Sequence, residues 1–396
     1  MTTKGNMMEP TQNGLDRRGF LGRAGALAGG LVIAPTLLAA CGSDDKKKTD
    51  SSGGANSSGR GKSIAVSNWT SYMDTALLKL FTKETGIKIK YVEDVNDNIE
   101  YFNAVKPNLQ RKQSIKRDGF VLTDWMANRM INQAKWTQPF AKDKFPNMKN
   151  LREALKSPSF DPTRASSAPW ASGVAGIAYN IDLTDGKEIK TLDEFLSTTG
   201  TKTVLSEMRD TVGIFMLADR KDITKPSFAD AAGAFDALDA AVSDGKIDGF
   251  NGNDYVTELG NGNLTACFAW SGDVAQLTLD NPKIHFAAPE SGATLWSDNF
   301  MIPNTTDQPD LATEFINFFY DPVIAAKLAA FIQYISPVEQ VADELTKLGG
   351  DAAALVDNPL VVPTPEFLDT LSIFGALERA EEKKFEDRFA QILGNG

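Results

Sequence analysis

From Ser63 onward, short apolar runs alternate with stretches of helical period. Ile64-Ala-Val-Ser-Asn-Trp69 reads as a buried strand. Asp74 to Lys83 carries Leu77, Leu78, Leu80 and Phe81 at helical spacing, and Gly86 suits the position just past the helix end. Lys88 to Glu93 and Gly119 to Thr123 read as further strands, as do Leu264 to Trp270 and His285 to Ala288. Thr191-Leu-Asp-Glu194 is a capping box that opens a helix, and Ser227 to Val242 is a long alanine-rich one. Asp321-Pro322 supplies a cap and a first-turn proline for a helix running to Phe331. Glu366 to Leu393 reads as a final helical region, whose charge run Arg379 to Arg388 is a solvated face. No internal repeat is present. The alternation predicts an α/β fold of mostly parallel sheets covered by helices.

Residues 14–42 follow different rules. Arg17 and Arg18 with Phe20 and Leu21 precede an Ala/Gly-rich apolar stretch, Ala24 to Ala40, interrupted by Pro35. A membrane span needs about 20 strongly apolar residues, so residues 1–40 read as an export signal. The paired arginines resemble the twin-arginine type, with Asp16 where Ser or Thr is common. Leu38-Ala-Ala-Cys41 resembles the bacterial lipobox, which implies Cys41 as the lipidated N-terminus of the mature chain. Residues 42–62 are polar, rich in Ser, Gly and Lys, and suit a flexible tether. The expected product is a globular body outside the cytoplasm, lipid-anchored to the cell membrane.

Charge and composition narrow the chemistry. The 396 residues hold 41 Lys+Arg against 52 Asp+Glu, a formal net charge of -11. Cleavage before Cys41 would leave 37 basic and 50 acidic residues. Such a body lacks the basic footprint of a nucleic-acid binder and favours a cationic partner. His285 is the only histidine, expected in the core, and Cys41 and Cys267 are the only cysteines. They cannot assemble a Cys/His zinc site. Cys267, without a partner thiol, reads as a small buried side chain. Gly61-Lys62-Ser63 is not a phosphate-binding loop, because Asn56 stands where its first glycine belongs. No nucleophile elbow or dinucleotide fingerprint occurs, and no cofactor is implied.

The six tryptophans carry more information. Trp69, Trp125, Trp270 and Trp296 stand at strand ends beside Ser, Thr or Asp, where open α/β sheets bind ligands. Trp136 and Trp170 have no acidic neighbour and read as packing residues. Asp124, Glu207, Asp210, Asp273 and Asp298 accompany the aromatic residues. Indole faces attract cations by about 0.5–2 kcal/mol. A carboxylate about 4 Å from an ammonium adds about 4 kcal/mol at an effective dielectric of 20, before desolvation. Aromatic walls with several carboxylates suit a linear amine bearing several charges.

Ile64 to Tyr72 and Phe81-Thr-Lys-Glu-Thr-Gly86 resemble the opening of the spermidine/putrescine-binding proteins of bacterial ABC importers. Pro169-Trp170 with Gly176 to Asn180, Ala269 to Asp273, Leu295 to Asp298, Glu314 to Phe319 and Tyr334-Ile-Ser-Pro337 follow in the family's order. The resemblance implies a type II two-lobed periplasmic-binding-protein fold with the ligand cleft between lobes. Lobe one would comprise 63–172 with 297–342, and lobe two 173–296 with 343–396. It also implies ligand contacts at Trp69, Thr70, Tyr72, Thr123, Trp125, Glu207, Arg209, Asp210, Trp270, Trp296, Asp298 and Tyr334, to which Asp124 and Asp273 are added as acidic neighbours. Arg209 could instead orient the carboxylates. The expected role is a monomeric, non-enzymatic binding lipoprotein that delivers spermidine or putrescine to a membrane permease. The alternatives are a binder of another organic cation or a sugar, a secreted enzyme, and an anchored sensor without a permease.

Overall fold

The long strands β5 (Ala168–Asn180) and β10 (Ala293–Pro303) run antiparallel to each other through the middle of the molecule, Thr294 opposite Ala175 and Phe300 opposite Ala168. They belong to a computed structural model that describes residues 62–394. The export-signal, lipobox and tether expectations, Cys41 included, lie outside the described residues.

On one side of this pair stand β1 (Ser63–Trp69), β2 (Lys88–Val95) and β3 (Gly119–Thr123), in the order β2-β1-β3-β10. On the other side stand β6 (Lys202–Leu205), β7 (Gly249–Asn251) and β8 (Ala266–Trp270), in the order β5-β8-β6-β7. Short strands β4 (Thr137–Gln138) and β11 (Leu371–Ser372) pair with β10, and β9 (Ile284–Ala287) pairs with β5. The expected parallel pairing holds within each flank, for β1 with β2 and β3 and for β6 with β7 and β8. The central pair departs from it, because a strand that serves both halves must leave and return in opposite directions. This is the mixed α/β architecture of a two-lobed binding fold.

Local signals place the elements close to expectation. Asp74 caps the helix Thr75–Thr85, and Gly86 ends it at φ 72°. The Thr191/Glu194 capping box forms, and Asp321 caps Pro322–Ile332. Trp136 stacks on Phe102 and Trp170 on Phe315, both as packing residues. Cys267 is buried and its thiol is pushed up by desolvation. Among the described residues, no single helix is long and apolar enough to cross a membrane.

Three expectations need correction. His285 is exposed at the edge of β9, stacked on Tyr179 at 5.6 Å, because the alternation of this edge strand turns it outward. The region 366–393 is not one helix. Pro365–Leu368 is a single turn, Leu371–Ser372 pairs with β10, and only Arg379–Leu393 is a long helix. The charge run on that helix is not wholly solvated, since Glu382 is buried against Arg209 and Phe385 packs into the core.

Candidate ligand-binding cleft

Alternation along β10 sends Thr294, Trp296 and Asp298 to one face. The register aligns that face with its neighbours: Thr294 opposite Ala175, itself opposite Trp270 of β8, and Asp298 opposite Thr123 of β3. The side chains that follow the ends of β1, β3, β6 and β8 join this face around a narrow cleft that opens to solvent. All fourteen expected contact residues line it.

Five rings form one wall. Trp69 meets Trp270 edge-on at 5.8 Å, Trp270 meets Trp296 at 6.4 Å, Trp296 meets Tyr334 at 5.4 Å and Tyr334 meets Tyr72 at 5.2 Å. Thr70 lies exposed beside Trp69 at the rim. The indole Nε1 of Trp270 donates to Asp210 Oδ2 at 2.9 Å, which fixes the ring against the acid.

Each carboxylate has its own environment. Asp210 also accepts from Thr294 Oγ1 at 2.6 Å, yet burial pushes it up to about 6. Asp298 accepts from Thr123 Oγ1 at 2.9 Å, and burial pushes it up to about 7. Glu207 accepts from Asn98 Nδ2 at 2.9 Å; burial, reinforced by nearby Asp97, pushes it up to about 8. Asp124 is half-buried, accepts from the Trp125 N–H at 2.9 Å and is raised by desolvation to about 6. Asp273 is held by Asn253 Nδ2, Tyr255 Oη and Tyr334 Oη at 2.7, 2.8 and 2.9 Å and is raised by burial to about 6. Those three donors make it an anchor for Tyr334.

Arg209 is the one cation in the lining, against five carboxylates. Its guanidinium lies 3.7 Å over the Trp125 ring and donates from Nη2 to Glu382 Oε1 at 2.7 Å. Arg129 covers Trp125 at 5.1 Å, approaches Glu382 at 3.1 Å and donates to Glu386. The lining therefore holds more acidic groups than its one cation can balance, and most of those acids are themselves buried. Desolvation disfavours their charged forms, and a bound cation favours them. Among the described residues, no three His, Cys, Asp or Glu side chains come together as a metal site.

Residues 76–360 match the family described as bacterial extracellular solute-binding protein. The chain belongs to this family. Among its relatives, the spermidine/putrescine-binding periplasmic protein of Salmonella typhimurium (strain LT2) is 26% identical over 275 residues, 68% of this chain and 76% of that one. The putrescine-binding periplasmic protein of Escherichia coli (strain K12) is 27% identical over 298 residues, 69% of this chain and 77% of that one. The spermidine/putrescine ABC transporter substrate-binding protein of Streptococcus pneumoniae superposes with a TM-score of 0.68 at 22% identity, covering 84% of this chain and 99% of that one. That likeness places the chain in the two-lobed binding fold.

Several residues lining this cleft of the solute-binding protein escape sequence reasoning. Asn98 donates to both Thr123 and Glu207, and its N-capping neighbour Asp97 accepts from Ser206 Oγ at 3.0 Å. Asn253 reaches Asp273 while its N–H donates to Asn96 Oδ1 at 3.0 Å. These bonds join the β1–β3 flank to the β6–β8 flank across the cleft. Ile373 and Phe374 line the mouth from the segment expected to be helical. Asn98 closely follows β2, so the strand-end argument that found Trp69 extends to it; Ile373 carries no such signal.

Proposed function

We propose that this chain captures a linear polyamine, of the spermidine or putrescine class, and delivers it to an ABC permease. The observation that carries the reading is the set of five carboxylates on an aromatic-walled cleft whose only guanidinium is already engaged by Glu382. A neutral sugar would leave the acids uncompensated and costly, whereas each ammonium offsets one of them. Trp270 and Trp296 supply apolar and cation–π contact for the methylene chain. Asp298 receives one ammonium group and the Glu207/Asp210 pair another, and Asp273 acts through Tyr334. The relatives' names for spermidine and putrescine support the same class.

Lobe one in this reading comprises residues 63–172 with 297–342, and lobe two 173–296 with 343–396. The first two passages fall at Gly173 and Trp296, which are directly paired in register. The third is expected at 342–343, at the start of the helix Val341–Leu348. The body acts as a monomer anchored through lipid on Cys41, and binding is its whole activity.

A second reading is an organic cation that also carries a hydrogen-bond acceptor. The buried indole N–H groups of Trp69 and Trp296 favour it, for they have no partner among the described residues. Calorimetry of the purified protein separates the readings. Putrescine and spermidine should bind, and affinity should fall with added salt. Binding of an amino-acid cation with no response to either polyamine favours the second reading, and tight binding of a neutral sugar alone removes both.

A further inference from the structure

We infer that Arg209 is a built-in cation that ends the amine track at Trp125 and so limits the length of the ligand. This deepens the proposed polyamine reading and rests on it. In the cleft, Trp125 is the indole whose ring is already covered by protein cations. One guanidinium, Arg209, lies 3.7 Å from its ring centroid, and a second, Arg129, lies at 5.1 Å. An aromatic face already covered by a guanidinium has no room for a ligand ammonium, and two like charges there would repel.

Arg209 is also fixed. It is 5% exposed, and Glu382 from the C-terminal helix holds its Nη2 at 2.7 Å. Glu382 in turn meets Arg129 at 3.1 Å, so the guanidinium cannot swing away without leaving a buried acid half-paired. The planar fork of arginine suits stacking and carboxylate pairing at once, which lysine cannot reproduce. Beyond the plug, the cleft-lining indoles with no guanidinium over them are Trp69, Trp270 and Trp296, next to Asp210 and Asp298. That shortened track fits a diamine. A third ammonium would have to approach Arg209.

Arg209 and Arg129 share Glu382 and Trp125, but only Arg209 lines the cleft. The pair therefore provides its own control. Putrescine and spermidine affinities would be measured by calorimetry for the wild type, Arg209→Gln, Arg129→Gln and the double variant Arg209→Gln/Glu382→Gln, each with its melting temperature. The double variant leaves no unpaired buried acid opposite the missing guanidinium, so it remains informative if the single variant folds poorly. The wild type should prefer putrescine. Arg209→Gln and the double variant should move the spermidine-to-putrescine affinity ratio by about tenfold or more toward spermidine. Arg129→Gln should leave the ratio where it is. A ratio unmoved by loss of Arg209, or moved equally by loss of Arg129, overturns the inference while leaving polyamine binding intact. Absence of any amine binding by the wild type overturns the proposed function and this inference with it.

Discussion

Trp296 packs its indole edge into the space that a side chain at Gly173 would need: a Cβ there would stand 2.4 Å from Trp296 Cζ2 and 2.7 Å from Tyr334 Cε1. The two residues are partners in the β5–β10 register. The missing side chain thus lets two rings of the aromatic wall close on the strand pair. Gly173→Ala should displace Trp296 or Tyr334, cost about 1–3 kcal/mol of stability, and weaken ligand binding. Thermal unfolding and titration on the same sample check it; a variant with unaltered melting and affinity would show that the rings adjust freely.

Asp298 should trade stability against binding. An amide at this position still accepts from Thr123 Oγ1, so the local hydrogen bond survives in Asp298→Asn. Loss of the charge should weaken amine binding by about 2–5 kcal/mol. The ligand-free variant should gain on the order of 1–3 kcal/mol at pH 8, because a desolvated carboxylate no longer has to ionise. Unchanged amine affinity in a well-folded variant would place the ammonium elsewhere.

The raised carboxyls predict a proton-linked ligand. Burial lifts Asp210, Asp298 and Glu207 to about 6, 7 and 8, above their unfolded values near 4. The native state retains protons that the unfolded chain releases across this window. These groups therefore stabilise the ligand-free protein at low pH, and that contribution is lost as pH rises through their native values. A bound ammonium favours the ionised acids, so affinity should rise between about pH 5 and 8 and binding should release protons. Calorimetry in two buffers of different ionisation enthalpy measures the release. Buffer-independent enthalpies with pH-independent affinity would contradict it.

Cys41→Ala tests the anchor. The variant should leave the membrane fraction or persist as an uncleaved precursor. Normal processing and retention would show that the cysteine carries no lipid.

What the sequence reveals follows from how local each signal is. Trp270 is legible because it sits at a strand end, where the α/β arrangement collects ligand contacts, and Asp210, in the first turn of the helix Met208–Ala218, through the family resemblance. Their mutual hydrogen bond spans 60 residues and has no local trace. Glu382 was hidden for a related reason. Within Arg379–Arg388 it looks like one more solvated acid, and only docking of the C-terminal helix brings it to Arg209, 173 residues away. The break at residues 369–378 is tertiary in origin too, since pairing of Leu371–Ser372 with β10 outweighs a helical pattern. His285 misled because a short edge strand presents alternate residues to solvent even within an apolar-leaning run.

The most direct test of the proposal that this cleft binds a cation is a crystal structure of the protein grown with putrescine and, separately, with spermidine. The account predicts an extended amine lying against Trp270 and Trp296, with a terminal nitrogen within hydrogen-bond distance, about 2.7–3.2 Å, of an Asp298 oxygen. It also predicts Arg209 still seated on Trp125. An amine bound outside this cleft, or a cleft that remains free of amine at saturating concentration, would contradict it.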